Sequence, residues 1–176
     1  MHLTKRFEAL ILFAGLVMLV SACGAPRSAR SSQRTTTSPS PGSSLKKDNQ
    51  LRKSITSYAG KFKGAKYHYG GATPKGFDCS GLTHYIFYKF DIELPRGSYN
   101  QAKVGKRISL KKTKPGDLVF FGKRGKVNHV ALVVRNTASG VEVIHSTSSK
   151  GVRIDNVSKS AYWKPRILFA RDVLIN

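Results

Sequence analysis

An α+β fold, with helices packed on an antiparallel β-sheet, is what this 176-residue chain predicts, and three observations carry the prediction. Apolar residues at helical spacing occupy the first part of residues 51–176, and β-rich runs bounded by turn residues occupy the rest. The two kinds of segment do not alternate as βαβ units would require.

The elements follow in order. Leu51, Ile55, Tyr58-Ala59 and Phe62 recur on one face of a first amphipathic helix. A glycine-rich loop, Tyr69 to Gly76, then leads into Phe77-Asp78-Cys79-Ser80-Gly81. Leu82, Tyr85-Ile86 and Phe90 continue as a second helix buried on one side, and a short third helix is predicted through Gln101 after the turn at Leu94-Pro95-Arg96-Gly97-Ser98. Lys114-Pro115-Gly116-Asp117 is a turn signal. Strands are predicted over 117–121, 129–135 and 140–146, with a further short one around Val152-Arg153-Ile154. Residues 166–173 close the domain as a β-rich or helical segment.

The first 50 residues read differently. Lys5 and Arg6 precede an apolar run, Ala9 to Val20, that is too short to span a bilayer comfortably. Val20-Ser21-Ala22-Cys23 resembles a bacterial lipobox, which makes residues 1–22 a lipoprotein signal peptide and Cys23 the lipidated residue. Two or more acyl chains would hold the protein stably on a membrane. Gly24 follows without an inner-membrane retention aspartate, so the expected location is the cell envelope, anchored in the outer membrane and facing the periplasm. Residues 23–50, rich in Ser, Thr and Pro, are expected to form a flexible tether.

Composition narrows the function. The net charge of +22 reflects scarce acids and points to a polyanionic partner. Export leaves anionic lipid or the carboxylate-rich wall as that partner, and excludes nucleic acid. The nine carboxylates form neither a His-Glu-x-x-His motif nor an acidic calcium loop, so no metal and no organic cofactor is expected.

Cys79 sits where the glycine-rich loop meets a helix start, and unpaired backbone N–H groups and the helix dipole favour a thiolate there. The plainer alternative is a buried structural cysteine. A nucleophilic cysteine needs a base and a group to orient it, and two histidines stand at strand ends. His129 opens Val130-Ala131-Leu132-Val133-Val134, and His145 ends Val141-Glu142-Val143-Ile144. If these strands pair, His129 takes the Cys79 proton while His145 holds its tautomer. His68 and His84 read as surface or packing residues.

Asp78-Cys79-Ser80-Gly81, Leu94-Pro95-Arg96, Pro115 to Phe121, Asn128-His129-Val130 and Ile144-His145-Ser146 occur in that order. Together they resemble the NlpC/P60 family of bacterial cell-wall cysteine peptidases across residues 51–176. The resemblance implies a papain-like core in which Cys79 is the nucleophile, His129 the base and His145 the orienting residue. It places the Tyr67 hydroxyl near the oxyanion site, and it assigns Asp78, Ser80 and Ser98 to positions that hold a stem-peptide amino group in some relatives. Asp78 and Ser98 also read as helix caps. Ala131 and Asn128 depart from the family pattern, at positions that bear on substrate preference and leave the reacting groups intact.

The expected activity is hydrolysis of peptidoglycan stem or cross-link peptides by a monomer. The bond is the D-alanyl–diaminopimelate cross-link or the γ-D-glutamyl–diaminopimelate bond. The competing readings are a non-catalytic wall-binding lipoprotein and an amidase acting at the sugar–peptide link.

Overall fold

The computed structural model describes residues 41–175. The expected signal peptide, the expected lipidation site Cys23 and the expected tether as far as residue 40 lie outside the described residues. Helix α1 (Pro41–Gly60) starts at least ten residues before the expected domain boundary at Leu51, so residues 41–50 are helical and not the flexible tether that composition suggested. Leu45, Lys46 and Lys47 are good helix formers, and Asp48 pairs with Arg52 one turn on, at 3.0 Å. Counting residue types missed this pairing, because it lies in the spacing.

A two-strand hairpin, β1 (Ala72–Thr73) and β2 (Gly76–Phe77), turns at Pro74-Lys75 and leads into α2 (Cys79–Tyr88). Helix α3 (Ser98–Gln101) is a single turn. Six antiparallel strands follow: β3 (Lys106–Ile108), β4 (Leu118–Lys123), β5 (Lys126–Thr137), β6 (Gly140–Thr147), β7 (Gly151–Asn156) and β8 (Ile167–Asp172). They form one sheet in the order β3-β8-β4-β5-β6-β7. The fold is therefore α+β, with the closing segment resolved as a strand. Strand β3 has no counterpart in the sequence reading, since three residues are too few to show a period.

Alternation along the strands divides the core in two. Leu118, Phe120, Val130, Leu132, Ile144 and Val152 face the helices and pack with Leu82, Ile86 and Phe87 of α2. An aromatic cluster joins α1 to α2, with Phe62 at 5.3 Å and 5.4 Å from the rings of Phe77 and Tyr85. Each fully buried apolar side chain here is worth about 1.5–3 kcal/mol, so α2 is held to the sheet along its length. Val119, Phe121, Ala131, Val133 and Val143 point the other way, against Val157 and Trp163.

Two polar devices fix the start of α2. A β-carbon on Gly81 would lie 1.9 Å from the Gly71 carbonyl oxygen, so only glycine lets the helix approach the loop this closely. Ser146 Oγ of β6 donates to the Phe77 carbonyl at 2.7 Å, which ties the residues before Cys79 to the strand bearing His145. Farther away, the buried Arg52 of α1 donates to Asp117 at 2.7 Å, to Asp172 at 2.9 Å and to the Pro115 carbonyl at 3.1 Å. Burial opposes its charge, but hydrogen bonds to Asp117, Asp172 and Asp48 outweigh that, and its pKa stands above the ordinary arginine value.

Candidate active site

Cys79 is the first residue of α2, and Asp78 caps the helix by accepting the Gly81 backbone N–H at 2.6 Å. The same carboxylate accepts from Ser80 Oγ at 3.0 Å and from Arg96 at 2.9 Å. These bonds, those to Arg96 foremost, outweigh the cost of burial and hold Asp78 below its ordinary pKa. Arg96 also donates to the Gly70 carbonyl at 3.1 Å, so one guanidinium joins the glycine-rich loop to the cap.

The sulfur has three backbone N–H groups within reach, from Val130 of β5 and from Ser80 and Cys79 itself. They favour a thiolate, as the helix-start argument expected. Burial outweighs them, and the negative Asp78 adds to it, so the Cys79 pKa is pushed up and the resting group is a thiol. The stabilisation expected at a helix start is outweighed because Cys79 is half-buried against the core at the foot of a cleft.

The influence of the Val130 N–H on the sulfur sets Cys79 near the mouth of β5, where His129 precedes Val130. Cys79, His129 and Tyr67 line one cleft of about 740 Å³, with Phe121, Tyr162 and Trp163 among its other walls. The β4–β5 register shifts between Phe121 and Gly122, paired with His129 and Val127, so β5 bulges at Asn128, the residue before His129. Such irregularities re-aim side chains at strand ends. By alternation His129 belongs to the face of Ala131 and Val133, and its ring stacks on Trp163 at 4.8 Å.

His129 Nε2 lies 2.9 Å from His145 Nδ1, so the structure brings together the two histidines singled out from sequence. His145 has no exposed surface, and its Nε2 lies 3.0 Å from Asp155 Oδ2. Burial, and then the facing His145, hold His129 well below the ordinary histidine value, to about 3. Burial also lowers His145, against the opposing hydrogen bond that it makes to Asp155. Both rings are therefore neutral at neutral pH.

Tyr67 is half-buried. Burial first, then the nearby Cys79 and Asp78, raise its phenol pKa, so it stays a hydrogen-bond donor. Ser80 is buried beside Asp78 and Arg96. Ser98 starts α3, but the cap position belongs to Gly97, and Ser98 does not line the cleft. Sequence reasoning missed three residues of this region: Asp155, Trp163 and Arg96. Asp155 is two positions from Arg153, which pairs directly with His145 across β6 and β7, so pairing those strands on paper would have found it. Among the described residues no group of three or more His, Cys, Asp or Glu side chains is arranged to hold a metal ion.

Residues 64–172 match the NlpC/P60 family. The chain is 43% identical over 120 residues to the gamma-DL-glutamyl hydrolase of Bacillus subtilis, covering 68% of this chain and 29% of that protein. It is 39% identical over 114 residues to the murein DD-endopeptidase MepS/murein LD-carboxypeptidase of Escherichia coli K12, covering 64% of this chain and 58% of that one. The chain thus spans well under two thirds of these curated relatives. Among solved structures, the NlpC/p60 domain of the peptidoglycan hydrolase SagA is 31% identical with a TM-score of 0.59, over 69% of this chain and 97% of that one. An NlpC/P60 protein of Bacillus cereus is 28% identical with a TM-score of 0.65, over 70% and 40% respectively.

Proposed function

The chain belongs to the NlpC/P60 family, and from that membership we propose that it is a cysteine peptidase cleaving peptide bonds in the stem or cross-link peptides of peptidoglycan. The observation that carries the reading is the cleft shared by Cys79 and His129, with His129 Nε2 engaged by His145 at 2.9 Å. That engagement leaves Nδ1 of His129 as the basic nitrogen, and a non-catalytic wall-binding module has no use for it.

The steps follow from this arrangement. His129 Nδ1 takes the thiol proton as the Cys79 sulfur attacks the substrate carbonyl carbon. The backbone N–H of Cys79 and the Tyr67 hydroxyl stabilise the oxyanion. Collapse breaks the C–N bond, and the proton on His129 passes to the leaving amine. Water then gives a proton to His129 and adds to the thioester, which releases the carboxylic acid and restores the thiol. Asp78, Ser80 and Arg96, beside the nucleophile, are placed to meet a stem-peptide terminus. The named relatives act on a γ-glutamyl linkage and on murein. The two bonds proposed for this chain are accordingly the γ-D-glutamyl–diaminopimelate bond and the D-alanyl–diaminopimelate cross-link. Lipid attachment at Cys23 would keep the peptidase in the envelope beside that polymer.

The test is a digest of purified peptidoglycan by residues 23–176, read by mass spectrometry beside Cys79→Ala. Loss of cross-linked dimers with matching gain of monomers, absent in the variant, supports cross-link cleavage. Shortened stems move the cut to the γ-glutamyl bond. Release of whole stems from glycan would make the protein an amidase, and an unchanged wall that co-sediments the protein would overturn the catalytic reading.

A further inference from the structure

The Cys79, His129 and His145 arrangement does not end at His145. Asp155 of β7 accepts from His145 Nε2 at 3.0 Å and is itself held from two other directions. Trp163 Nε1 donates to the same Oδ2 at 3.3 Å, and Arg153 Nη2 forms an ion pair with Oδ1 at 2.6 Å. Burial opposes ionisation of Asp155, but the bond from His145 and the charge of Arg153 outweigh it, and the group is a carboxylate below its ordinary pKa. The side chain is only 17% exposed.

A carboxylate can only accept, so the proton on His145 must sit at Nε2. Neutral His145 then offers a lone pair at Nδ1, and the hydrogen between the two rings must belong to His129 Nε2. That leaves His129 Nδ1 as a lone pair and not an N–H. Without an acceptor at Asp155, His145 is free to carry its proton at Nδ1. It would then donate to His129 and force that ring's proton onto Nδ1, the nitrogen that has to receive the thiol proton. Trp163 reinforces the arrangement, since its ring stacks on His129 while its N–H holds Asp155.

Resting on the peptidase reading above, we propose that Asp155, clamped by Arg153 and Trp163, is a positioning residue that sets the tautomers of His145 and His129 and stabilises the imidazolium formed when Cys79 gives up its proton. Asp155 touches neither substrate nor sulfur; it acts through His145. Besides Asp155, the charged and titratable groups around the chain are Arg153, Lys123, Lys150, Arg166, Tyr67 and Tyr162. Arg153 is the one among them that pairs with Asp155.

The test uses the isosteric Asp155→Asn, with Asp155→Ala and Trp163→Phe beside it, each checked for an unchanged Tm. On purified peptidoglycan, kcat should fall about 10- to 100-fold in the Asp155 variants with KM unchanged, and a few-fold in Trp163→Phe. Two readouts need no substrate. Nitrogen NMR of the histidines should show the Nε2–H form of His129 in the wild type and a mixture with the Nδ1–H form in the Asp155 variants. The rate of Cys79 alkylation by iodoacetamide at neutral pH should fall about tenfold, because the imidazolium formed as the sulfur gives up its proton loses its counter-charge. Asp155 variants that keep kcat within twofold and the wild-type His129 tautomer would overturn the proposal. If no variant or wild type cleaves wall while the tautomer and alkylation changes appear, the relay stands and the peptidase reading falls.

Discussion

Two buried polar groups of this molecule meet the same problem in opposite ways. Arg52 lies against Asp117 and Asp172, the residues flanking the start of β4 and the end of β8, with Asp48 one turn back on its own helix. His129 and His145 lie away from that corner, His129 beside the β5 bulge and paired with Phe121 of β4. The arginine keeps its charge because several oxygens surround it, and it gains fixity: α1 cannot move without exposing or stranding buried carboxylates. The histidines lose their charge because burial opposes it, in His145 against the pull of Asp155 and in His129 with the facing ring adding to it, and a neutral ring can still take a proton. Compensation keeps a charge and fastens a helix, and its absence at His129 leaves a neutral ring.

Substitutions can break this contrast or sharpen it. The largest effect should come from Cys79→Ala and His129→Ala, each lowering kcat by at least about 10³-fold while the Tm hardly changes. A comparable loss of Tm would show that the histidine end fastens too. Arg52→Met should do the reverse, costing about 3–5 kcal/mol in urea unfolding because buried carboxylates lose their partner, with kcat per folded molecule retained. A drop in kcat at constant fold would tie the two ends together. His145→Ala should lie between, with kcat down about 10- to 100-fold, less than for His129, because water partly replaces an orienting group.

The smallest effect is in pH. His129 is held near 3 when folded, against about 6.5 in an unfolded chain, so between those values the unfolded state binds more protons. The contribution of His129 to stability should be complete above pH 6.5 and fall as pH drops toward 3. Thermal melts across that range should flatten in His129→Gln, whereas Arg52 keeps its charge throughout. An unaltered slope in the variant would assign the acid loss elsewhere.

How legible each end was in the sequence follows from the same contrast. Cys79, His129 and His145 are rare residue types at places where the pattern changes, a helix start and two strand ends, and there a reactive side chain stands out. Arg52 is one of 31 lysines and arginines, and nothing local distinguishes a buried one from a solvated one. Its partners lie 65 and 120 residues away. Asp155 was hidden for a related reason: an aspartate alternating with apolar residues in a strand resembles a solvent-facing position until the next strand is known. The helical nature of 41–50 was masked by serines and glycine, although Asp48 and Arg52 carried the spacing. The six-strand order was not readable at all, since β8 inserts between β3 and β4 through contacts that no local period records.

The protonated resting state of Cys79 has a consequence for the lifetime of the molecule. Peroxide attacks thiolates, and the path to sulfenic and then irreversible sulfinic acid begins from the ionised sulfur. A surface thiolate at a helix start would be steadily consumed in oxidising surroundings. In the mechanism proposed above the sulfur is ionised only while His129 holds its proton, which is the interval in which a substrate carbonyl competes for it. The burial that makes the nucleophile look sluggish at rest is thus also its protection against oxidative ageing.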